Sequence, residues 1–103
     1  MVIQNPFYEL RTLKAKRIIV SGIVQGVGYR ATVHYIATRS GITGHVRNME
    51  DGRVEILAQA QDEEILERFI ESIQRVRPPA RVYRIDRNPA EVSESITSFS
   101  IVH

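Results

Sequence analysis

The 103-residue chain has no cysteine. That excludes a disulfide scaffold, thiolate metal ligands and a cysteine nucleophile together, and leaves the redox compartment undetermined by this route. Nowhere do about 18 apolar residues run without a charge, so no transmembrane helix is expected. Met1 is followed by Val2-Ile3-Gln4-Asn5-Pro6, without the basic and apolar regions of a secretory leader, which makes a soluble, cytoplasmic protein the default expectation. An excess of one charge is also missing. Fourteen Lys plus Arg stand against twelve Asp plus Glu, and a net charge of +2 is too small to argue for a nucleic-acid groove. Internal repeats and low-complexity tracts are absent as well.

What is present suits one compact domain, since 43% of the residues are hydrophobic and 25% charged. Residues 1–15 show no sustained period of 2 or 3.6 and are read as an extension. Two readings of it stay open: disorder, or docking of Phe7, Tyr8, Leu10 and Leu13 on the domain or on another copy. The domain proper is expected over 16–103. Ile18 to Val24 is rich in β-branched residues and predicts a strand. Tyr29, Val33, Ile36 and Ala37 recur at helical spacing, predicting a helix over Tyr29 to Ser40 with Gly41 as its left-handed cap. Thr43 to Asn48 and Arg53 to Ala60 read as strands joined by an Asp51-Gly52 hairpin, where glycine takes positive φ freely. Asp62 caps a second helix that runs to about Arg75, with Ile65, Leu66, Phe69, Ile70, Ile73 and Val76 as its apolar stripe. Arg81 to Asp86 is another strand, Asn88 to Thr97 a polar connection, and Phe99 to Val102 a short C-terminal strand.

That order, βαββαβ plus a terminal strand, predicts an α+β ferredoxin-like sandwich: two helices on one face of an antiparallel sheet, the other face open to water. Fold class does not assign function. The chemistry concentrates in Gln25-Gly26-Val27-Gly28-Tyr29-Arg30, between the first strand and the first helix. Two glycines let successive N–H groups converge as an anion nest, and the helix start adds its free N–H groups and partial positive charge. Arg30, in the first turn, adds a planar guanidinium. The combination suits a phosphoryl or carboxylate group, although a compact connection beside a solvated arginine has the same residues.

Three rivals fit less well. Gly26 to Ala31 satisfies a loose dinucleotide-binding pattern, but that fold needs parallel strands and an acidic residue ending strand two, where this chain has Arg47-Asn48. No Gly-Lys-Ser/Thr follows the glycines, so a Walker A loop fails. A ferredoxin-like RNA-binding module needs exposed sheet aromatics, and Arg53 to Gln59 has none. His34, His45 and His103 have no metal-ligand spacing.

Gly22-Ile23-Val24-Gln25-Gly26-Val27-Gly28-Tyr29-Arg30 closely resembles the acylphosphatase signature G-x-V-Q-G-V-x-[FY]-R. Gly44 to Glu55 resembles the second signature of that family, G-x-V-x-N-x-x-D-G-x-V-E. The resemblance covers about Lys16 to His103 and departs at His45, where relatives often carry Trp. It implies a cofactor-free, metal-independent hydrolysis of small-molecule acyl phosphates to a carboxylate and phosphate, with phosphate or other anions as competing ligands. It further implies that Arg30 and the amides of loop 25–30, from Gln25, Gly26, Val27, Gly28 and Tyr29, bind the phosphoryl group, and that Asn48 positions the attacking water. No nucleic-acid or membrane partner is expected, and the chain is expected to act as a monomer. The alternative is a non-catalytic acylphosphatase-like module, as found at the start of larger hydrogenase maturation proteins. No Cys-rich segment follows His103, so a free-standing enzyme is the expectation.

Overall fold

The computed structural model describes residues 13–103. The expectations placed on Phe7, Tyr8 and Leu10 lie outside the described residues. Five strands and two helices follow in the order β1 (Lys14–Ile23), α1 (Tyr29–Arg39), β2 (Thr43–Asn48), β3 (Val54–Ala60), α2 (Glu63–Gln74), β4 (Arg81–Ala90) and β5 (Phe99–Val102). The sheet order is β4-β1-β3-β2-β5. The first four strands pair antiparallel, as a ferredoxin-like sandwich requires. The fifth departs from the expected all-antiparallel sheet: β5 runs parallel to β2, with Gly44 opposite Phe99 and Arg47 opposite Val102, so the sheet is mixed. Period-2 patterning identifies a strand without giving its direction, which is why the sequence does not carry this feature.

Both helices cover one face of the sheet. Ile18, Val20, Val46, Val54, Ile56 and Ala58 meet Tyr29, Val33, Leu66, Phe69, Ile70 and Ile73 in one core. The α2 N-cap forms as its sequence predicts, with the Ile65 N–H donating to Asp62 Oδ1 at 2.8 Å. β1 begins at Lys14, two residues before Lys16, and β4 continues to Ala90, beyond the expected Asp86.

The second face is less open than its polar residues suggest. Glu55 and Gln59 are buried there. Arg17 Nε donates to Glu55 Oε2 at 2.5 Å and Arg47 Nε to Glu55 Oε1 at 2.6 Å. Gln59 holds the connection after β4 against the sheet: its Nε2 donates to the Ser93 carbonyl at 3.1 Å and its Oε1 accepts from the Ser93 N–H at 2.6 Å.

Candidate functional site

The site lies where three strands end together. β1 and β2 are both antiparallel to β3 and so run in the same direction, and β5 is parallel to β2. Ile23, Asn48 and Val102 are therefore delivered to one edge of the sandwich. Register sharpens the placement. Asn48 is opposite Val54, and Val54 is opposite Val20 on its other side, so Asn48 sits in a row across the sheet just below the chain that becomes the glycine loop.

Gly26 and Gly28 adopt left-handed backbone, with φ of +73° and +78°, and Gly28 is the N-cap of α1 without a capping side chain. An N-cap of that kind leaves the first amides of α1 without side-chain acceptors, an arrangement suited to an anion. Val24, Gly26, Gly28, Arg30, Asn48 and Ile101, together with Tyr29, Ala31 and His103, line a pocket of about 250 Å³. Arg30 is fixed from the C-terminal side: its Nη1 donates to the Val102 carbonyl at 3.1 Å and lies 3.4 Å from His103 Nδ1. Asn48 contributes a side-chain oxygen, Oδ1, that is buried and has no hydrogen-bond partner among the described residues.

The pocket thus gathers Gly26, Gly28, Tyr29, Arg30 and Asn48, while Gln25 and Val27 do not line it. Tyr29 is buried and donates its hydroxyl to the Ile73 carbonyl at 2.9 Å, so its phenol belongs to the core and burial pushes its pKa up. What Tyr29 can offer a ligand is its main-chain N–H. Gln25 turns away to the β2–β3 hairpin, donating from Nε2 to the Met49 carbonyl at 2.8 Å and to the Arg53 carbonyl at 2.9 Å. His45, the departure from the second signature, alternates with buried Gly44 and Val46 and therefore faces away from Asn48. His34 packs against Phe99, with ring centroids 6.1 Å apart.

Sequence reasoning missed Ile101, the Val102 carbonyl and His103 as parts of this edge. The only available signal was the short C-terminal strand from Phe99 to Val102, and its pattern is silent on strand direction. Among the described residues no group of three His, Asp or Glu side chains is placed to hold a metal ion, and no helix is long and apolar enough to cross a membrane.

The acylphosphatase family model matches residues 16–101. An acylphosphatase of Caldivirga maquilingensis is 42% identical over 86 residues, covering 82% of this chain and 90% of that protein. The crystal structure of acylphosphatase from Bacillus subtilis superposes with a TM-score of 0.80 at 40% identity, covering 87% of this chain and 99% of that one. The structure of HypF from T. kodakarensis matches with a TM-score of 0.76 at 36% identity, covering 87% of this chain but only 12% of its own length.

Proposed function

Because the chain belongs to the acylphosphatase family, and relatives that it matches over nearly their whole length are acylphosphatases, we propose that it hydrolyses acyl phosphates at the glycine-loop pocket, with Arg30 and Asn48 in separate roles. Arg30 and the loop amides hold the phosphoryl oxygens; Asn48 orients the water. The oxygen of that water attacks phosphorus, the bond from phosphorus to the bridging oxygen breaks, and the carboxylate departs with the electron pair. The water's protons pass to phosphate and solvent.

The observation that carries this reading is the buried, unpartnered Oδ1 of Asn48 beside the same pocket as Arg30. A buried acceptor left without a donor costs on the order of 1–3 kcal/mol. A turn of the carboxamide toward the pocket would let a water donate to Oδ1, which removes that cost and orients the water. The carboxamide accepts from the water without deprotonating it, which suffices when the leaving group is a carboxylate. The protein's task is then positioning, plus stabilisation of charge on the equatorial oxygens. The Arg30 tie to Val102 supports this, because a guanidinium held in place need not reorganise as charge develops.

The decisive measurement is hydrolysis of benzoyl phosphate, with and without a chelator, by the native chain and two variants. Arg30→Ala should lower kcat/KM by roughly 10²-fold, by analogy with loss of a donor to a developing oxyanion, and should weaken competition by inorganic phosphate. Asn48→Ala should lower kcat while leaving phosphate competition nearly unchanged. Equal loss of phosphate affinity in both variants would contradict the separate roles, and loss of turnover on chelation would contradict metal independence. The large size of HypF relative to its matching segment motivates the second reading, a binding module without turnover. A native chain that binds phosphate but does not hydrolyse benzoyl phosphate would favour it.

A further inference from the structure

The Gln25 side chain has two donors and one acceptor, and the structure spends both donors. Nε2 gives one hydrogen to the Met49 carbonyl at 2.8 Å and the other to the Arg53 carbonyl at 2.9 Å. Because both partners are carbonyl oxygens, the amide nitrogen must face them. These carbonyls stand at the mouth of the β2–β3 hairpin, where the Met49 N–H also donates to the Arg53 carbonyl at 2.8 Å. The carboxamide thus bridges both arms of the hairpin at its base. Only Oε1 is left over, and an acceptor cannot hold the oxygens of a phosphoryl anion.

Met49 directly follows Asn48, so the clip acts one residue from the orphaned Oδ1. From this geometry we infer that Gln25 is a positioning residue: its side chain locks the hairpin to the glycine loop and thereby sets the distance between Asn48 and the bound phosphoryl group. The clip joins the segment proposed to bind the phosphoryl group to the segment proposed to place the water. The inference rests on the proposed role of Asn48.

The test is a double-mutant cycle on benzoyl phosphate hydrolysis, using native chain, Gln25→Met, Asn48→Ala and the double variant. Each is assayed for kcat, for competitive inhibition by inorganic phosphate and for melting temperature. Methionine keeps the length of the side chain and removes both donors. Gln25→Met should lower kcat about tenfold or more, since small misplacements of reacting groups are costly, with phosphate inhibition within about twofold of native. In the Asn48→Ala background it should lower kcat no further. Multiplying effects in the double variant, or phosphate inhibition weakened as much as kcat falls, would overturn the inference while leaving the Asn48 role standing. Native kcat in Asn48→Ala would overturn both. If Gln25→Met does not fold, Gln25→Glu, which turns carboxylate oxygens toward the two carbonyls, is expected to give the same pattern and is read by the same criteria.

Discussion

At Gly28 the backbone holds φ at +78°, and a Cβ added there would meet no atom within 4 Å. The penalty for Gly28→Ala is therefore conformational, about 1–2 kcal/mol for an L-residue in left-handed backbone. Urea unfolding should show a loss of that size, with phosphate competition nearly unchanged while the backbone keeps its left-handed turn. An alanine variant of native stability would mean that the turn relaxes to negative φ without cost. Single residues also mark how far the sequence could be read. The glycines and Arg30 mark a candidate anion-binding loop from sequence alone, because their backbone freedom and charge are properties of residue type. Gln25 did not disclose its side-chain role, whereas helical spacing already set Tyr29 on the apolar face of α1. Within one motif, Tyr29 sends its phenol into the core to Ile73, and Gln25 sends its amide to the hairpin.

Among the elements, α2 was the most legible. Its apolar stripe and its Asp62 cap are local patterns, and the cap forms with the Ile65 N–H at 2.8 Å. Asp62→Ala should cost about 1 kcal/mol of stability. Thermal unfolding checks this, and an unchanged melting temperature would mean the cap contributes nothing. β4 was legible only in part, because Pro89 and Asn88 read as connection. The strand nevertheless reaches Ala90, with Asn88, Pro89 and Ala90 opposite Arg17, Lys16 and Ala15 of β1. It tolerates the proline because it is the first strand in the sheet order, with a side free of strand partners among the described residues, where a missing N–H breaks no ladder. The direction of β5 was not legible at all, since it is decided by what the strand packs against.

Across the whole molecule, the second sheet face carries a charge cluster that should set the acid limit of stability. Burial works to raise the pKa of Glu55, but hydrogen bonds from Arg47 and Arg17 outweigh it and hold the carboxyl below its ordinary value of 4.5. A depressed carboxyl stabilises the fold fully above its unfolded pKa, and that contribution is lost as pH falls through the folded pKa. Glu55→Gln should therefore be less stable than the native chain at pH 7, with the gap closing below about pH 4. Urea titrations at several pH values measure it, and a gap independent of pH would assign the loss to packing. The same whole-molecule view shows that Arg30 depends on a strand 72 residues further along. Its guanidinium is steadied by the Val102 carbonyl, and Val102 lies in the last strand of the sheet order. During synthesis the glycine loop leaves the ribosome long before β5 does, so a nascent chain carries the loop without the support that orients its arginine. On the proposed role of Arg30, the loop becomes competent only once β5 has joined the sheet, and a product ending before Val102 would retain the signature residues while lacking the contact that aims them.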